Sequence, residues 1–90
     1  MDFEKKLFEK LSILRPIVKT GSIEMLYRLN KEGKIKIGDF SRKYRMHSDT
    51  AKQASEVLHE IGLIIFEREG RKKFLVLTEK GKSIIRKLMK

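Results

Sequence analysis

Apolar positions along this chain recur at helical spacing in some stretches and alternate or run together in others, and that pattern lays out the elements. Phe3, Leu7, Leu11 and Leu14 follow a helical stripe that Phe8 widens, which predicts an amino-terminal helix over residues 1–15. Arg15-Pro16 should end or kink it, because the residue before a proline is pushed out of the helical region. Thr20-Gly21-Ser22 offers an N-cap for a second helix with Ile23, Leu26, Tyr27 and Leu29 on its buried side, closed by Glu32-Gly33. Lys34-Ile35-Lys36-Ile37 alternates polar and apolar and reads as a short strand. Gly38-Asp39 opens a brief helix bearing Phe40 and Tyr44, and Arg45-Met46-His47 is a tight connection. The next helix starts at His47 or Ser48 and runs to about Ile61, with Ala51, Ala54, Leu58 and Ile61 facing inward and Gly62 as its terminator.

Two apolar runs follow, Leu63–Phe66 and Phe74–Leu77, and Glu69-Gly70-Arg71-Lys72 between them supplies the turn of a β-hairpin. Apolar residues stand on both faces of this hairpin, more than a solvated ribbon needs, so its base should pack on a terminal helix. Thr78 caps a last helix with Ile84, Ile85 and Leu88 on one face. The expected class is α+β, in the order α-α-β-α-α-β-β-α. No linker, repeat or low-complexity stretch divides residues 1–90, so one domain is expected: an amino-terminal helix (1–15), a core (20–77) and a carboxy-terminal helix (78–90).

Charge adds the first functional clue. The chain carries a net charge of +10, unevenly spread: residues 51–66 hold one base and two acids, whereas 67–90 hold nine bases and three acids. Such a field favours polyanions, nucleic acid before anionic membrane. A thermophile's charge-rich surface explains part of the composition, since Asn30 and Gln53 are the only side-chain amides. It does not explain the surplus of one sign, because ion-pair networks need both.

Other chemistries find little support. There is no cysteine, and His47 and His59 alone make no metal site, so neither a metal nor a cofactor is expected. Gly81-Lys82-Ser83 looks like the end of a phosphate-binding loop, but Val76 stands where its first glycine belongs. No serine has a His and Asp arrangement around it, and catalysis is not expected. No apolar run approaches the ~18–20 residues that span a bilayer. The amino terminus, Met1-Asp-Phe-Glu-Lys-Lys, has charges where a signal peptide needs apolar residues, so a cytoplasmic, nucleoid-associated protein is expected.

Two helices joined by a short turn and followed by a hairpin make a winged helix-turn-helix. Here the residues resemble a known family. Ile35 and Ile37, Asp39-Phe-Ser-Arg-Lys-Tyr44, Asp49-Thr-Ala-Lys-Gln53 through Leu58-His-Glu-Ile-Gly-Leu63, Glu69-Gly-Arg-Lys72 and Leu77-Thr-Glu-Lys-Gly81 are similar to the strand, supporting helix, recognition helix, wing and final-helix opening of MarR- and ArsR-like regulators and their small archaeal relatives. The resemblance covers about two-thirds of the chain. It implies a DNA-binding transcriptional regulator, a repressor more than an activator, acting as a homodimer on double-stranded DNA.

On that reading helix 47–61 enters the major groove with Ser48, Asp49, Thr50, Lys52, Gln53 and Glu56. Gln53 suits adenine, and Lys52 suits guanine or phosphate. This helix has one lysine against Asp49, Glu56 and Glu60, so most affinity must come from elsewhere. The supporting helix offers Arg42, Lys43 and Arg45. The wing, 67–73, offers Arg68, Arg71, Lys72 and Lys73 to phosphates or the minor groove. A basic hairpin tip also serves as an edge-strand guard. Phe3, Leu7, Leu11, Leu14, Ile84, Ile85 and Leu88 are expected at a dimer interface, the alternative being that they fold onto the monomer's own core. Three rivals share the fold: a sequence-neutral DNA coat, a protein-interaction module of transcription or replication machinery, and an RNA-binding winged helix.

Overall fold

A computed structural model describes Lys5, Glu9, Ser12, Ile13 and residues 15–88, the side chain of Leu88 excepted. Among them the elements are α1 (Pro16–Glu32), β1 (Lys34–Lys36), α2 (Ile37–Arg42), α3 (Ser48–Glu60), β2 (Ile64–Glu69), β3 (Lys72–Leu77) and α4 (Glu79–Leu88). Lys5, Glu9 and Ser12 have helical backbone. Phe3, Leu7, Leu11 and Leu14, the stripe of the expected first helix, lie outside the described residues.

The second helix starts earlier than its capping signals predict. Pro16 occupies its first turn, where a fixed φ and a missing N–H cost nothing. Thr20-Gly21-Ser22 is therefore helix interior. Its small residues have another use, because Gly21 and Ser22 are both buried. A Cβ on Gly21 would come within 2.7 Å of Thr50 Cγ2, so the glycine lets α1 approach α3 closely. The Ser22 hydroxyl donates back to the Val18 carbonyl at 2.9 Å and is satisfied without leaving the helix. The buried stripe is Val18, Gly21, Ser22, Met25, Leu26 and Leu29, which leaves Ile23 half-buried and Tyr27 exposed.

The strands form one antiparallel sheet in the order β1-β3-β2. Glu69 pairs with Lys72, so Gly70 and Arg71 make a two-residue turn. Gly70 has φ +64° at the first position, the place a type II′ turn reserves for glycine. Ile37, expected to end β1, instead begins α2. Ile35, Leu75, Leu77 and Ile64 point inward from the sheet onto Met25, Leu26, Leu29, Phe40, Ala54 and Leu58 from the helices.

The hairpin base packs on the final helix, as its apolar content predicts. At Gly81 an added Cβ would strike the carbonyl oxygen of Leu63 and come within 2.8 Å of Leu77 Cδ2. Thr78 stitches the same junction. Its hydroxyl donates to the Gly62 carbonyl at 2.7 Å and accepts from the Gly81 N–H at 3.1 Å. The expectation that Ile84 and Ile85 face a second subunit is corrected here. They are 1 % and 0 % exposed within this one chain, because they close the apolar layer over α1 and β3.

Candidate nucleic-acid interface

The candidate interface is built on α3, which packs along α1 and buries Thr50, Ala51, Ala54, Ser55 and Leu58. Burying that stripe turns Ser48, Asp49, Lys52, Gln53 and Glu56 outward, and all five are exposed. Thr50 is a correction. It is 7 % exposed and lies against Gly21, so it braces the helix from behind and presents nothing outward. The helix begins as its sequence predicts, with His47 as N-cap: Nδ1 accepts the Asp49 N–H at 3.2 Å. It ends at Gly62, whose φ of +82° suits a terminating glycine.

Arg42, Lys43 and Arg45 are exposed beside the start of α3. Two of them share one acid: the Arg42 guanidinium lies 3.2 Å and the Lys43 ammonium 3.8 Å from the Asp39 carboxylate. Arg45 has no ion pair among the described residues. Its φ of +56° is the left-handed conformation that lets the chain turn between the two helices.

At the hairpin, Arg68, Arg71 and Lys72 are exposed, and Arg68 stands opposite Lys73 in register. Lys73 differs from its neighbours, being half-buried with its ammonium 4.1 Å from the centre of the Phe66 ring. His59, from the last turn of α3, packs on the same ring at 4.8 Å. Phe66 thereby joins hairpin to helix.

Sequence reasoning missed Lys34. Its ammonium pairs with Glu69 and lies 3.3 Å from Glu67, and it rests 4.7 Å from the Phe74 ring centre. The hydrogen bond it donates to Glu69, opposed in part by desolvation and helped by a further one to Glu67, holds its pKa above the ordinary lysine value. The consequence is electrostatic. Both acids of the hairpin are occupied by a base from β1, which leaves the hairpin's own bases to act outward. Alternation in Lys34-Ile35-Lys36 shows that Lys34 leaves the core face, but its partners follow from the β1-β3-β2 order alone.

Among the described residues no helix is long and apolar enough to cross a membrane, and no group of three His, Asp or Glu is placed to hold a metal ion.

No protein-family model matches the chain, and no curated protein does. Solved structures do. A MarR transcriptional regulator from Methanosarcina mazei Go1 is 28 % identical with a TM-score of 0.72, covering 77 % of this chain and 50 % of its own. NMB1585, a MarR family regulator from Neisseria meningitidis, is 29 % identical with a TM-score of 0.67, over 77 % of this chain and 51 % of its own. A transcriptional regulator homologue protein from Pyrococcus horikoshii OT3 is 12 % identical, and matches 99 % of this chain and 92 % of its own with a TM-score of 0.67. The chain has the winged helix-turn-helix fold of MarR- and ArsR-family regulators, as its motifs imply. It spans about half the length of the first two.

Proposed function

We propose that this domain is a double-stranded DNA-binding transcriptional regulator, acting as a repressor by occupying promoter DNA. Helix α3 reads the major groove, with Gln53 and Lys52 at base edges. The hairpin lies along phosphates or enters the minor groove with Arg68, Arg71 and Lys72. Arg42, Lys43 and Arg45 hold the backbone beside them. Two copies joined through Phe3, Leu7, Leu11 and Leu14 read half-sites about one helical turn (~34–36 Å) apart. Such a protein acts in the cytoplasm, on the nucleoid.

The observation that carries this reading is the separation of roles on one surface. The exposed face of α3 is polar with a single base, Lys52, while the hairpin keeps Arg68, Arg71 and Lys72 exposed and Lys34 takes its acids, Glu67 and Glu69. Affinity then comes from the wing and base choice from the helix.

A random-duplex binding selection at two salt concentrations tests it. A short inverted repeat should emerge, with random DNA bound about 10³-fold more weakly. Replacing Arg71 and Lys72 by Ala should lower the slope of log affinity against log salt by about two units. Leu11→Glu should yield monomers in light scattering. Failure to retain any duplex at low salt overturns the reading and favours a protein-binding module.

A further inference from the structure

The outer face of α4 takes no part in the interface just described, yet among the described residues it is a further concentrated positive surface. Over Glu79–Leu88 the helix carries Lys80, Lys82, Arg86 and Lys87 against one acid, Glu79. Gly81, Ile84 and Ile85 are buried, and at about 100° per residue this leaves the four bases on the opposite half of the helix, all exposed. Lys82 lies 3.6 Å from Glu79, while Lys80 and Arg86 have no ion pair among the described residues.

This face starts away from the end of α3 that reads the groove. Thr78, at the start of α4, is bonded to Gly62, just past the carboxy-terminal end of α3. The residues proposed at base edges, Lys52 and Gln53, sit in the amino-terminal half. The 13 residues of α3 place about 20 Å between its ends. Helix α4 then continues against α1 and β3 rather than along α3. Complementing the dipole of α4 accounts for Arg86 and Lys87 in its last turn, but not for Lys80 in its first, where a base is unfavourable.

We infer that the outer face of α4 is a second polyanion surface, and that its occupant is a second segment of duplex DNA. The inference rests on the DNA-binding reading above. Four bases along one helix face match a phosphate row, whose charge is dense and regularly spaced. The apolar residues an interfacial membrane helix would present are here buried in the core, which disfavours a lipid surface. One molecule thus holds two duplexes, one by α3 and the hairpin, the other by α4.

The test is capture of a second duplex. Duplex fixed to beads is saturated with the full 90-residue chain, washed, and offered a fluorescent random-sequence duplex at low salt. The wild type should capture it and release it as salt rises. A Lys80→Ala/Arg86→Ala variant should bind the fixed duplex within about twofold and capture the second at least about tenfold less. Both side chains are exposed, so the variant keeps the fold, which circular dichroism verifies. Undiminished capture by the variant overturns the inference, because a dimer with two α3 faces bridges duplexes without α4. Preference of the α4 face for phosphatidylserine vesicles over duplex also overturns it. If the wild type does not load onto the first duplex, the DNA-binding reading itself fails, at a different step of the same assay.

Discussion

The imidazole of His59 packs on the ring of Phe66, with ring centres 4.8 Å apart and planes inclined by 34°. One residue belongs to the last turn of α3 and the other to β2, so this contact ties the hairpin to the helix. Lys73 rests on the same phenyl ring. Replacing His59 by Ala should cost about 0.5–1.5 kcal/mol, the worth of an aromatic pair. His59→Phe should restore most of it. In urea the midpoint should shift without a change of slope. DNA binding gives a sharper readout: the Ala variant should lose part of the wing's salt dependence, and the Phe variant should keep it. Equal salt slopes in all three proteins would show that the wing is held by other contacts.

Gly21 and Gly81 both mark close approaches, but their neighbours differ. A methyl on Gly81 meets the Leu63 carbonyl, which is backbone held by its bond from the Thr78 N–H. A methyl on Gly21 clashes only with the Thr50 side chain, and it meets Met46 at ordinary contact distance. Overpacking costs about 1–3 kcal/mol, and alanine returns up to about 1 kcal/mol of helix propensity. Gly81→Ala should therefore fall at the upper end of the range or beyond, and Gly21→Ala near its lower end. Adding Thr50→Ser, which removes Cγ2, should rescue Gly21→Ala in thermal melts. No rescue would mean that the strain lies elsewhere in the α1–α3 contact.

Much of this arrangement can be read from the sequence, and the exceptions share a cause. Turn and cap chemistry is local, so the Gly62 exit of α3, the Thr78 cap and the hairpin turn stand where residue types place them. The face of α3 follows from helical periodicity, apart from Thr50. A threonine has a polar end, and only the depth of its neighbour shows that its methyl is the working part. Gly21-Ser22 mimics a capping signal because small residues serve tight helix contacts as well as helix starts. Ile84 and Ile85 look surplus to a minimal winged domain until α4 folds back over α1 and β3. Lys34 is harder still. Its partners lie 33 and 35 positions away, and no local pattern announces them.

The Lys34 cluster gives a pH prediction whose sign is fixed. Its pKa is raised above the ordinary 10.5 by the hydrogen bonds it donates to Glu69 and Glu67. A base with a raised folded pKa stabilises fully below the unfolded value and loses that contribution as pH rises through the folded one. The stability difference between wild type and Lys34→Met should be constant around neutrality and shrink above pH 10.5. Urea titrations across that range measure it. At neutral pH the same variant frees two carboxylates on the hairpin, so its affinity for DNA should fall although no proposed phosphate contact is removed. A pH-independent difference would mean that Lys34 acts through its packing on Phe74 alone.

Thr50 and Gln53 lie one turn apart on α3 and should behave oppositely. Gln53 is exposed with no partner among the described residues, so Gln53→Ala should change stability by less than about 0.5 kcal/mol. Its amide matches the donor and acceptor of adenine, and its loss should remove about 1–3 kcal/mol of discrimination at one or two positions of the selected site. Thr50→Ala should do the reverse. It empties the contact beside Gly21, lowering the melting temperature, while the selected site stays the same. Both quantities come from one pair of variants, a melting curve and a selected-site profile for each. If Thr50→Ala altered base preference and Gln53→Ala did not, the groove-facing side of α3 would have to be redrawn, because no single rotation of the helix satisfies both its burial and that result.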